Sequence, residues 1–172
     1  MTANPEKGGE GGTPGGGRRV LSSARLAAVQ AIYQLDMTEA SAEAVVEEFL
    51  RHRGGVGLDE GEVGITPDSA LFAELVRGVA REREELDRMI AEQLVKAWPL
   101  ARIEKVMAAT LRAGAFELRH RQEVPARVVI NEYVDVAHAF VGGKEVGMVN
   151  GVLDRLAHIL RGAEMGEVEG KQ

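Results

Sequence analysis

Three arginines, Arg18, Arg19 and Arg25, and one tyrosine, Tyr33, stand close together near the start of the chain and carry its clearest binding chemistry. A guanidinium can hold a phosphate through two parallel hydrogen bonds and can stack on a base. A tyrosine ring can stack on a base as well. Each has a plainer alternative: the arginines also suit a charged helix start that keeps a protein soluble, and Tyr33 also suits a core position on an apolar stripe. Catalytic chemistry is harder to assemble. The four histidines, His52, His120, His138 and His158, are dispersed, with no pair at the i, i+4 spacing of a helical zinc site. There is no cysteine for a thiolate ligand or nucleophile. The run Gly142-Gly143-Lys144 lacks the spacing of a phosphate loop and the hydroxyl residue after its lysine, so it reads as an interhelical turn. No catalytic residue, metal or cofactor is therefore expected.

The elements that must position these residues are helices. In 172 residues, 45% are hydrophobic but only 4% are aromatic, and alanine and leucine dominate the apolar set. The length suits one domain. The net charge of -6 argues against coating of nucleic acid by bulk electrostatics. From Met1 to Leu35 the sign reverses, with Lys7, Arg18, Arg19 and Arg25 against Glu6 and Glu10, so an anionic partner would be met locally. No apolar run approaches the roughly 18 residues of a membrane span, and the amino terminus is glycine-rich rather than signal-like. No membrane association and a cytoplasmic location are expected.

Along the chain, residues 1–17 read as a disordered glycine-rich tail, 18–162 as the helical domain and 163–172 as a flexible acidic tail. A first helix is predicted from near Arg18 or Ser22, with Leu26, Val29, Ile32 and Tyr33 on one stripe. Ser41 caps a second. Residues 54–65 read as a loop, and Thr66 before Pro67 as the start of a long helix that ends before Trp98 and Pro99. The apolar positions from Ile103 to Leu118 define a helix apolar enough to be central. Pro125 opens the next, and after Gly142 and Gly143 a last helix carries Val152, Leu153, Leu156, Ile159 and Leu160, with Gly162 as its C-terminal cap. The reading is an all-α, single-domain compact bundle of about six or seven helices.

Four blocks of residues resemble a known family. They are Ala28-Val29-Gln30-Ala31-Ile32-Tyr33-Gln34-Leu35, Leu111-Arg112-Ala113-Gly114-Ala115-Phe116-Glu117-Leu118, Val124-Pro125 with Val129-Ile130-Asn131-Glu132, and Val149-Asn150-Gly151-Val152-Leu153-Asp154. Their order and spacing together resemble the NusB family of bacterial transcription antitermination factors, from about Arg18 to Leu160. The resemblance implies two small helical subdomains, no catalysis, and binding of boxA, a single-stranded element of nascent ribosomal RNA, together with NusE, a protein of the small ribosomal subunit. The pair would help RNA polymerase resist termination. By position, the resemblance assigns RNA contacts to Arg18, Arg19, Arg25 and Tyr33, and to Lys144, Met148 and Asn150 in the turn before the last helix. It places the partner protein near Arg112 and Glu117. Monomer and homodimer both fit the family.

Two departures from the family pattern stand out. Val20, Leu21, Ser22 and Ser23 interrupt the basic run, and Lys144 falls where many relatives are acidic nearby. Asn131 and Asn150 also suit helix capping or inter-helix hydrogen bonds, and Gly151 suits a close helix approach. Two other functions compete: a stand-alone relative of the RNA-binding module of a ribosomal RNA cytosine methyltransferase, and a helical scaffold without RNA contact. The first would need a second domain with strand-helix alternation and a cofactor turn, neither of which the sequence contains.

Overall fold

A computed structural model describes residues 16–53 and 67–166. Among them all regular structure is helical: α1 (Gly16–Met37), α2 (Ala42–Arg53), α3 (Ser69–Arg81), α4 (Arg83–Gln93), a 3-10 turn (Leu100–Arg102), α5 (Lys105–His120), α6 (Ala126–Phe140), α7 (Gly143–Leu160) and the short α8 (Gly162–Gly166). The loop predicted over 54–65, and Thr66, lie outside the described residues, as do residues 1–15 and 167–172.

α5 is the axis of the fold, as its apolar sequence predicts. Every residue from Met107 to Leu118 is buried, and the helix packs against α1, α3, α4, α6 and α7. On one side α1 and α2 pack on α3; on the other α4 and α6 pack with α7. The core joins both halves through Phe72, Leu75, Leu86, Ile90, Leu111, Tyr133, Leu153 and Leu156. Burial of a single large apolar side chain of this kind contributes roughly 1.5–3 kcal/mol. Two glycines let helices approach. A Cβ on Gly78 would overlap the Phe116 ring, and one on Gly114 would lie 2.9 Å from a Leu153 methyl. Gly151, expected to serve this purpose, instead faces the Arg155 side chain of its own helix, so its lack of a Cβ brings no second helix closer.

Helix boundaries depart from the sequence reading where packing overrides local signals. The one long helix predicted up to Trp98 is two, interrupted at Glu82 (φ -105°, ψ 17°). Both halves pack on α5, but α3 also packs on α1 and α2 whereas α4 packs on α7, so away from α5 the two serve different neighbours. Glu82 is fixed there by Arg119 at 3.3 Å and His120 at 2.6 Å. α3 starts from Asp68, whose carboxylate accepts from the Leu71 amide at 2.8 Å, so Pro67 precedes the cap and is not the first helical residue. α1 reaches back to Gly16, because a packed helix extends at the gain of one hydrogen bond per residue fixed. At the other end Gly162 does not terminate α7. Arg161 is the cap residue and Gly162 opens α8. Ser41 caps α2 as expected, its hydroxyl accepting from the Ala44 amide at 3.1 Å.

Candidate nucleic-acid interface

α1 carries the candidate binding residues at its two ends and a structural anchor between them. Arg18 and Arg19 are exposed in its first turns, and among the described residues neither has a carboxylate partner. Arg25 is different. It is 3% exposed, and its Nε and Nη2 donate to the two carboxylate oxygens of Glu117 at 2.7 and 2.9 Å. Tyr133 donates its hydroxyl to the same carboxylate at 2.6 Å, Glu132 lies 3.8 Å from Arg25 Nη1, and Ser22 donates to Glu132 at 2.8 Å. Arg121 Nε, buried without a hydrogen bond, lies 3.4 Å from Glu117. Burial opposes the charge on Arg25, but hydrogen bonding and attraction to Glu117 outweigh it, so the guanidinium holds its proton more tightly than in water. Burial and then the Glu117 charge push the Tyr133 hydroxyl well above its ordinary value.

The structure does not bring the three arginines together: Arg25 points inward because it answers a buried carboxylate on α5, and an isolated buried carboxylate would be costly. Arg112 and Glu117, expected near the partner protein, are buried as well. Glu117 is 0% exposed and fully engaged inside the fold. Arg112 is 6% exposed and joins three helices, donating to Asp87 of α4 at 2.6 and 3.2 Å and to Asp36 of α1 at 2.6 Å. Arg83 closes this group on Asp36 at 2.6 Å. Burial works against the Arg112 charge too, and Asp87 and Asp36 more than restore it.

Tyr33 belongs to the surface and not to the core. It is 39% exposed and lines an open cleft of about 510 Å³ with Gln30, Met37, Glu104, Lys105, Val106 and Phe140. Lys144 and Asn150 are exposed on the first two turns of α7, and Met148 is half-buried against the core. Phe140 links the groups along the chain, since it ends α6 just before the Gly142–Gly143 turn that leads to Lys144. Arg18 and Tyr33 are separated by roughly 22 Å of helix. The candidate surface is therefore an extended track along α1, from Arg18 to the Tyr33 cleft, and not one enclosed pocket. Asn131 is exposed on α6. Gln30, Met37, Lys105 and Phe140 are cleft residues that the sequence reading missed. Gln30 and Met37 share the helical spacing of Tyr33, a signal that was available, whereas Lys105 and Phe140 come from other helices and only the fold brings them in.

Among the described residues no group of three or more His, Asp or Glu could hold a metal ion. His52, His120 and His158 each pair with a carboxylate, on separate helices. No described helix is long and apolar enough to cross a membrane.

Comparison with known proteins is decisive at this point. Residues 22–158 match the model of the NusB family. The chain belongs to the NusB family. A relative from Bradyrhizobium diazoefficiens called transcription antitermination protein NusB is 50% identical over 144 residues, 84% of this chain and 87% of its own length. A Nitrobacter hamburgensis protein of the same name is 49% identical over 142 residues, 83% and 88% of the two chains. A solved structure of NusB from T. maritima superposes with a TM-score of 0.68 at 27% identity, covering 85% of this chain and 96% of the other. The NusB resemblance and the all-helical class read from the four blocks are both shown by these matches. Arg18 and Arg19 lie just before the segment that the NusB family model covers.

Proposed function

We propose that this NusB-family chain is a non-catalytic, RNA-binding transcription antitermination factor. It binds boxA RNA of ribosomal RNA operons with NusE, and the assembly helps RNA polymerase resist termination in the cytoplasm. The observation that carries this reading is the close relationship, at about half identity over most of both chains, to proteins called transcription antitermination protein NusB. The exposed track supports it. Arg18, Arg19, Lys144 and Lys105 are cations without a carboxylate partner among the described residues, and Tyr33 and Phe140 are exposed aromatic rings along the same path. Cations for phosphates and rings for bases are what an extended single strand requires. Asn150 and Met148 extend the track on α7. Arg25 serves it from inside, by seating α1, and Arg112 and Glu117 serve the fold beneath any surface that NusE would cover.

The test is fluorescence anisotropy with a short boxA-like RNA and a scrambled control, with and without NusE, over a salt series. Preferential binding that tightens with NusE is expected. Equal, weak binding to both RNAs under every condition would overturn the proposal. Lys144→Glu should weaken binding and flatten the salt dependence; an unchanged series would remove Lys144 from the site.

A further inference from the structure

The segment after α7 lies beyond the stretch covered by the family model, yet it makes some of the most specific contacts in the molecule. The Arg161 guanidinium is buried, and it donates to four backbone carbonyls: Leu118 at 2.8 Å, Glu117 at 3.1 Å, Arg121 at 2.8 Å, and Val124. These acceptors lie in the last turn of α5 and in the turn that leads to α6; the Glu117 and Arg121 carbonyls also accept from the amides of Arg121 and Val124, at 2.9 and 3.1 Å, so Arg161 gives each of them a second bond. A fixed positive charge there also opposes the negative end of the α5 dipole.

Three residues later Glu164 does the reverse job. Its Oε1 accepts from the backbone N–H of Ala126 at 2.7 Å, the first residue of α6. The N-cap of that helix is Pro125, which provides no side-chain cap. Glu164 Oε2 also lies 3.4 Å from Arg161 Nη1, and Met165 is buried in the core. One short segment thus caps the end of α5 and the start of α6 with opposite charges.

We propose that Arg161–Met165 is a strap that closes the α5–α6 turn and, through Glu117, holds the seat of α1. The link is a single residue with two ends. Glu117 gives its carbonyl to Arg161 and its carboxylate to Arg25 and Tyr133. Loosening the strap leaves the Glu117 carbonyl with only its helical bond from the Arg121 amide at 2.9 Å, so the last turn of α5, and with it the carboxylate that anchors α1, is held less firmly. The strap touches none of the track residues, so its effect reaches Arg18, Arg19 and Tyr33 only through the seating of their helix.

Amide hydrogen exchange on the full chain tests this, and it needs no RNA, so its outcome is independent of the RNA reading. Glu164→Ala should speed exchange at residues 126–129 by about fivefold, the effect of losing one helix cap. Arg161→Met should speed exchange across residues 121–129 and also at residues 24–29 of α1. If Arg161→Met does not fold, Arg161→Lys, which keeps the charge but not the planar fork, takes its place with the same pattern expected. Unchanged exchange at 121–129 in both variants would overturn the strap. Faster exchange there with residues 24–29 unchanged in the Arg161 variant would overturn the link to α1.

Discussion

Arg18 and Arg25 sit on the same helix two turns apart, and their surroundings give them opposite roles. Arg18 stands in solvent with no carboxylate partner among the described residues, free to meet an anion. Arg25 is sealed against Glu117, Glu132 and Tyr133, and its charge is spent within the protein. The contrast repeats at the other end of α1, where Tyr33 opens onto a cleft while Asp36, three residues on, is tied to Arg112 and Arg83. Residue type alone does not distinguish a contact from an anchor. What distinguishes them is whether the fold supplies a partner: α5 and α4 supply one to Arg25 and Asp36, whereas Arg18, at the start of the helix, has none among the described residues.

The comparison breaks hardest at the buried anchor. Glu117→Ala leaves Arg25 buried without its bidentate partner and should cost about 3 kcal/mol or more in urea unfolding. The double variant Arg25→Met with Glu117→Leu should recover part of that loss, because two apolar side chains replace the pair. A double variant no more stable than Glu117→Ala would mean that the cost lies with Tyr133 and Arg121, which both variants leave without the carboxylate, and not with an orphaned Arg25.

A smaller effect is expected at the close approach that seats α3 on α5. Gly78→Ala drives a methyl into the Phe116 ring and should cost about 2 kcal/mol, read as a lowered melting temperature. A neutral result would mean that Phe116 turns aside freely and that the packing of this face is looser than described.

Smaller again is the contribution of Tyr133. Its pKa is raised in the fold by burial and by Glu117, so its neutral form is the one the fold favours. Its stabilisation is complete below the unfolded tyrosine value of about 10 and is lost as pH rises beyond it. Tyr133→Phe should cost about 1 kcal/mol at neutral pH and should flatten the stability loss above about pH 10. An identical alkaline profile in the variant would assign that loss to other groups.

Much of this was legible in the sequence, and what was missed has a common physical cause. The apolar run from Met107 to Leu118 announced a central helix, and Ser41 and Pro125 marked helix starts, because those signals are local. Glu82 carried no local break signal, since what divides α3 from α4 is a change of packing partner. Arg25 read as one more surface arginine, for its carboxylate partner lies 92 positions away in sequence. Arg112 and Glu117 were placed near a partner protein by the family resemblance, and the sequence did not reveal that Asp36, Asp87 and Arg25 pair with them inside the fold. Lys105 and Phe140 joined the Tyr33 cleft only through tertiary structure. The cap that Glu164 gives to Ala126 was equally out of reach, because helix-capping patterns are sought within one segment and this one arrives from another.

The central claim is that α1 divides into an inward anchor and an outward track. Salt-dependent affinity of Arg18→Ala/Arg19→Ala for a boxA-like RNA, measured beside thermal unfolding, tests it most directly. The account predicts a melting temperature unchanged from the parent, weaker binding, and a log–log salt slope shallower by about 1.4, for two phosphate contacts at about 0.7 each. Unchanged affinity and slope, or a stability loss as large as that of Glu117→Ala, would contradict it.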